Sequence, residues 1–526
     1  MQMTTTTSSQ RFMLSRRQVL SSAAAFGVAG MMGGAWATAG LAQDGQPKRG
    51  GVLRIGIGGG SASDPFDPAL IAAPATRVFT RQWGDTLIEL DDQGRAVGRL
   101  AESFSPNADG SVWTFVLRPG ITFHDGSSLT GEDVAETYRR HADAATQSTV
   151  APLMTEIVDI AADGLNVVIT LKAGNADLPY LLTDYHLPIQ PKGGRDNPSA
   201  MIGTGPYRVD IAEPGSRYVL SRFAEDWSQD RGFYDGVEIF VMNDMTARSA
   251  ALAAGQVHMI NLVAPKIAEN LDANEALEVR RTPSRSHYAF EAMVNTAPFD
   301  NRDLRLALKY AMNREEMREK ILFGFGTLGN DVPINESYPL YRPGLEQRPY
   351  DLAKAAEHYK ASGHDGSPIV LHVAEAVFPG AGDMAMLWQQ SCQKAGIPLE
   401  VRRVPDDGYW ESVANVEPFV ADNYLGRPVQ DLQYSVFYKT GGEWNMTRFS
   451  NPEFDELLVK ARSETDADKR AEYYARMAQI LWEDGGVFIP VFTDFVDGYA
   501  TTVAGWREIS SDELMGGHAP SLTWFA

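Results

Sequence analysis

The chain has 526 residues, 47 Lys and Arg against 68 Asp and Glu, a formal net charge of -21 and a single cysteine, Cys392. An acidic chain of this kind does not grip nucleic acid or an anionic membrane through long-range charge, and one cysteine excludes an internal disulfide and a cysteine-rich metal site. Hydrophobic residues make up 44% and charged residues 22%, a globular composition, and at this length two or three domains are expected.

The N-terminus carries no acidic residue before Asp44. It reads Ser15-Arg16-Arg17-Gln18-Val19-Leu20 and continues as an Ala/Gly-rich apolar run to Ala42. A positive end, a weakly apolar middle and small residues at the exit predict a secretory signal over 1–42. The paired arginines resemble a twin-arginine signal, which prefers Phe where this chain has Val19. Export to a bacterial periplasm is therefore expected.

Val52–Ile57 alternates and is β-branched, which predicts a strand; Gly58-Gly59-Gly60-Ser61 then predicts a flexible loop. A helix is predicted over 77–90. Trp113–Leu117 and Leu165–Leu171 read as strands, and Thr130 with Asp133 reads as a helix cap. One long amphipathic helix is predicted over 302–323, with Leu304, Leu308, Ala311 and Met312 on one face. Further helices fall near 351–361, 382–395, 452–462 and 467–482, interleaved with strands at 369–373 and 399–404. Val487–Phe492 reads as a buried strand. Helix and strand in alternation predict an α/β fold.

Motifs for covalent chemistry are missing. Gly56-Ile57-Gly58-Gly59-Gly60 lacks the Gly-Lys-Ser/Thr ending of a phosphate loop. There is no G-x-S-x-G and no H-E-x-x-H, and the nine histidines never pair at i, i+4. No catalytic residue, metal or cofactor is expected.

Several segments, in order, resemble the family 5 extracellular solute-binding proteins, the peptide/nickel-type binding subunits of ABC importers. They are Gly50–Gly56, Phe66-Asp67-Pro68-Ala69, Asp85–Leu90, Leu100–Phe104, Trp113–Val134, Gly203-Thr204-Gly205-Pro206-Tyr207, Asn295–Asp300, Arg305–Leu308, Ala311–Arg314 and Asn451–Asp455. The resemblance implies a two-lobed periplasmic-binding-protein fold (type II, cluster C) with an extra domain on the first lobe. Lobe 1 is expected at 49–90, 202–295 and 490–526, the extra domain at 91–201 and lobe 2 at 296–489, with hinges near Asn295 and Pro490.

The resemblance further implies a monomer that shuts on a peptide or peptide-like solute and presents it to the permease subunits in the membrane. Receptors for an opine, an oligosaccharide or chelated nickel belong to the same family. Carried over by position, the ligand-facing residues are Pro74, Ala75, Thr76, Tyr424, Arg427, Asp431, Trp444, Asn445 and Phe492. Peptide binders of the family place an Asp in a Gly-Trp-x-x-Asp-type loop to hold the ligand ammonium. Here Arg427 lies near that place and Asp431 is displaced. Arg427 suits a carboxylate held bidentately, and Asp431 suits an amine. A periplasmic hydrolase would need a nucleophile and base converging in the cleft, and a chaperone a standing apolar groove.

Overall fold

Two long strands run through most of the molecule, and everything that positions the site hangs on them. The structure, a computed structural model, describes residues 46–526; the expected signal segment lies outside them. The strands are Leu277–Ala292 and Val487–Ala500. The second is rich in β-branched and aromatic residues and is buried along most of its length. They pair antiparallel from Leu277↔Ala500 to Pro283↔Asp494 and again from His287↔Phe492 to Glu291↔Val487. Between these stretches Ser284, Arg285 and Ser286 face Thr493 alone, so the ribbon carries a bulge at its middle.

An eleven-stranded sheet is built outward from this ribbon. On one side follow Phe419–Tyr424, Ile369–Val373 and Leu399–Arg403; on the other Met259–Ile260, Val52–Ile57, Gly236–Val241, Arg217–Arg222 and Tyr207–Glu213. Register fixes the directions. Tyr424 pairs with His287 and Phe419 with Ala292, so that strand ends at the bulge. Met259–Ile260 pairs antiparallel with Tyr499–Gly498 and also points toward the bulge. Carboxyl ends from the two half-sheets thus face one another across it, the place where open α/β sheets take ligands.

A smaller sheet stands apart, in the order Ala101–Pro106, Val112–Leu117, Asn166–Leu171, Ile157–Asp163. Val112–Leu117 alternates half-buried and buried, the mark of a sheet covered on one face. The cover is the helix Gly131–Ala142, which starts in a reciprocal box: Thr130 caps the Asp133 N–H and Asp133 accepts from the Thr130 N–H at 2.9 Å. Trp113, Phe115, Val134, Tyr138 and Ile169 fill the space between. One buried carboxylate ties this unit to the large sheet. Asp85 accepts from Arg231 at 2.5 and 2.9 Å, Arg99 Nε at 2.9 Å, Thr204 Oγ1 at 3.0 Å and Trp227 Nε1 at 3.2 Å.

Two predicted helices differ from the structure. The one expected over 77–90 runs Pro74–Trp83 and ends at Gly84; Ile88–Leu90 is already a strand. The long helix over 302–323 is two, Arg302–Tyr310 and Arg314–Ile321. Asn313 makes the break, because its side chain accepts from the Glu316 N–H at 3.2 Å and so starts a new helix rather than continuing the old one.

Candidate functional site

The site is the gap between the facing strand ends, with the bulge as its back wall. On the large-sheet side the rim begins at Gly58-Gly59-Gly60. This stretch is not a loose loop: the Gly58 N–H donates to Asn261 Oδ1 at 2.7 Å, and the Gly59 and Gly60 N–H groups donate to Asn243 Oδ1 at 3.0 and 3.2 Å. Gly59 holds φ +82°, and a Cβ there would lie 2.7 Å from the Pro74 ring. The glycines therefore let the loop press against the helix that starts at Pro74.

A cavity of about 420 Å³ opens at the centre of the gap. Its walls are mostly apolar: Met245 and Leu262 from one half, Tyr288 and Phe495 from the crossing strands, Phe323 and Phe325 from the other half. Tyr288 stacks on Phe378, ring centroids 3.9 Å apart, and Arg281 lies 3.6 Å over the Phe325 ring. Among the described residues, only Lys266 and Asp494 bring charge to the wall. Asp494 accepts from the Gly326 N–H at 2.8 Å, and burial raises its carboxyl above the usual range.

The bulge is braced from the segment that follows Pro333. Asn335 Nδ2 donates to the Ser284 carbonyl at 2.7 Å, Ser337 Oγ to the Pro283 carbonyl at 3.1 Å, and Arg285 Nε to the Ser337 carbonyl at 2.9 Å. These bonds satisfy the carbonyls that the missing strand pairing leaves free.

The residues carried over from the family fall in different places. Ala75 and Thr76 are buried, with Thr76 Oγ1 donating to the Ala73 carbonyl at 2.9 Å; with Pro74 they set the first turn of the rim helix. Tyr424 is buried on the far face of the ribbon, its ring 5.1 Å from His287. Phe492 is buried beside it, 5.1 Å from the same imidazole. Burial pushes His287 down to about 4, so the ring is neutral and Nδ1 donates to the Arg285 carbonyl at 3.1 Å.

Arg427 is exposed, its guanidinium 5.2 Å over the Phe437 ring and its N–H donating to Tyr338 Oη at 3.2 Å. Asp431 is buried and held by Arg462 Nε at 3.2 and 3.1 Å and Nη2 at 2.7 Å, an ion pair formed within the protein. Trp444 and Asn445 do not join this group. Asn445 donates to the Lys439 and Phe449 carbonyls, and neighbouring Thr447 accepts from the Val294 N–H at 2.8 Å. Val294 lies seven residues of strand and turn beyond His287, roughly 20 Å along the ribbon from the bulge. Leu262, Tyr288, Phe323 and Phe325 carry the cavity instead. Of these only the alternation Phe323-Gly324-Phe325-Gly326 leaves a trace in the sequence, as a turn.

Behind the bulge lies a buried acid pair. Tyr424 Oη is 2.9 Å from Glu291 Oε1 and 3.2 Å from Asp422 Oδ2. One hydroxyl proton serves one acceptor, so the second contact calls for a carboxyl proton. Burial pushes Asp422 up to about 7, and burial with the Asp422 charge raises Glu291 well above the carboxylate range. Tyr438, Tyr409 and His287 are titratable groups beside them, and none brings positive charge. The sign follows. The folded pair keeps a proton that unfolded carboxyls release near pH ~4, so the fold loses about 1.4 kcal/mol per pH unit for that proton as pH rises from ~4 toward 7. Glu291→Gln, which preserves the acceptor for Tyr424, is expected to flatten this slope. Denaturation midpoints at about pH 5 and about pH 8 measure it; an unchanged slope counts against the shared proton.

The two halves also touch away from the ribbon. Asp177, just after the small sheet, pairs with Arg470 Nη2 at 3.1 Å and accepts from Tyr474 Oη at 3.3 Å, both partners on the helix Ala467–Asp484. Both charges are buried, and burial pushes Asp177 up to about 6. The adjacent Ala176 N–H donates to the Arg462 carbonyl at 2.8 Å.

Comparison with known proteins agrees with this architecture. The profile of bacterial extracellular solute-binding proteins, family 5 Middle, matches residues 95–445. The glutathione-binding protein GsiB of Shigella flexneri serotype 5b is 24% identical over 484 residues, covering 89% of this chain and 90% of its own. HbpA2 of Haemophilus parasuis superposes with a TM-score of 0.80 at 18% identity, over 90% of this chain and 100% of its own. The periplasmic binding protein DppA of Helicobacter pylori, in complex with the peptide STSA, superposes at 0.70 and 20% identity, over 91% and 99%. The fold is the two-lobed type II periplasmic-binding-protein fold. With two thirds of its length inside the profile, the chain belongs to the bacterial extracellular solute-binding proteins, family 5.

Proposed function

We propose that the chain is the periplasmic receptor of an ABC importer and captures a peptide or peptide-like solute in the gap beside the bulge. The observation that carries this reading is geometric: strand ends from two half-sheets converge on a cavity of about 420 Å³, joined by a two-stranded ribbon with a braced bulge. In the proposed cycle the halves rotate about Ser284–Ser286 and Thr493, and contacts from solute to both halves favour the shut form. The named ligands of GsiB and DppA, glutathione and a tetrapeptide, support a peptide-like solute.

The lobes expected as 49–90 with 202–295 and 490–526, and as 296–489, are proposed with their joints moved from Asn295 and Pro490 to the bulge at Ser284–Ser286 and Thr493, and with 91–201 as an addition to the first. Export by the twin-arginine route, a monomeric state, delivery to permease subunits and an absence of catalysis belong to the same proposal. Arg427, exposed at the end of Phe419–Tyr424, is the residue proposed to meet a ligand carboxylate.

A ligand that binds the folded form alone at a hundred times its Kd stabilises by about 2.7 kcal/mol, about 2–3 °C in Tm for a chain of this length. Thermal melts against di- to hexapeptides, glutathione, opines, sugars and nickel chelates test the reading. A shift with peptides or glutathione is the expected result; a shift with another class alone rejects the peptide assignment.

A further inference from the structure

The wall of the cavity says which peptides, given that the reading above holds. Leu262 and Phe323 enter it from opposite halves. They are apolar, 40% and 48% exposed, and both sit in left-handed backbone, at φ 50° and 54°. Such a backbone is rare and costly for bulky side chains, and such outliers gather at ligand clamps. Neither side chain reaches its own core. Facing them are Tyr288, stacked face to face on Phe378, and Phe325, covered by Arg281. Of the two charges on the wall, Asp494 is engaged by the Gly326 N–H and Lys266 stands exposed on the outer rim. A charged side chain entering the cavity would lose water to a mostly apolar wall, where Asp494 is already bonded to the Gly326 N–H and faces the charges of Arg281 and Arg318. An aromatic or branched aliphatic side chain would cover Leu262 and Phe323 together and draw the halves toward one another.

We propose that this cavity is a side-chain subsite for an aromatic or branched aliphatic residue, and that the protein selects short peptides that carry one. Its apolar wall sets the preference, and Leu262 and Phe323 are the specificity-determining pair.

Calorimetric titration of the full chain with Ala-Phe-Ala, Ala-Leu-Ala, Ala-Glu-Ala and Ala-Lys-Ala tests it. Burial of one large apolar side chain predicts that the Phe and Leu peptides bind about ten- to a hundredfold more tightly than the charged pair. Phe323→Ser and Leu262→Ser should each narrow that gap by about tenfold, and circular dichroism melts check that both variants fold. Equal or tighter binding of Ala-Glu-Ala or Ala-Lys-Ala overturns the proposal, as does a gap that both variants leave intact. Failure of every peptide, including glutathione, overturns the peptide reading itself.

Discussion

Asp85→Ala is expected to cost the fold about 3–5 kcal/mol, because it strips the shared partner from two buried guanidiniums. Arg231 and Arg99 both donate to this carboxylate, as do Thr204 and Trp227. Asp226 remains within 2.8 Å of Arg231, but Arg99 has only the longer contact to Glu89 at 3.3 Å. Four segments far apart in sequence meet at this one acid, so its loss loosens the small sheet from the large one. Denaturant titration reads the loss. Asp196→Ala removes an exposed pair with Lys192 and serves as the comparison, expected within about 0.5 kcal/mol of the parent. Equal midpoints for the two variants would show that the Asp85 cluster is replaceable by water.

Asp177→Asn should behave differently, although it also weakens a buried ion pair. Side chains alternate along a strand, so Tyr288 and His287 point to opposite faces of the ribbon. The cavity lies on the Tyr288 face, while Tyr474 packs with Tyr424 and Phe492 on the other. In the proposed rotation about the bulge, narrowing the cavity would therefore part Asp177 from Arg470. The energy of this pair belongs to the present arrangement, in which Leu425 is 82% exposed. Weakening the pair removes part of the cost of closure and raises the binding-competent fraction. Apparent affinity for the solute is expected to tighten about tenfold, equivalent to about 1.4 kcal/mol, while the Arg470 charge left buried lowers Tm. Titration of the variant against the parent measures it; weaker binding would mean that the contact survives closure.

Local chemistry decided how much of this could be read in advance. Val52–Ile57 and Ile369–Val373 were legible to the residue because short β-branched runs bounded by turn residues have one reading. The Thr130–Asp133 box was legible for the same reason. The 302–323 helix was not, since its apolar face continues through Ala311 and Met312 and only the Asn313 side chain decides the break. The sheet as a whole lay beyond local pattern, because its ribbon pairs residues about two hundred positions apart.

The site was less legible still. Position relative to the family directed attention to Tyr424, but nothing in its neighbours marks which face of a strand end it takes. It turns inward to Glu291, 133 residues earlier. Asp431 looked available, and Arg462, which occupies it, is 31 residues away. Leu262 and Phe323 drew no reading as site residues, because a left-handed backbone leaves no mark on a Leu or a Phe.

The bulged ribbon has a mechanical consequence. Both halves hang on one hydrogen-bonded sheet rather than on two slack tethers, so opening and shutting must twist a stiff band about its weakest point. Such a band stores torsion as it turns and returns it when the load departs. In the proposed cycle, a ribbon twisted on closing would oppose the shut form, so loss of the solute contacts would favour reopening.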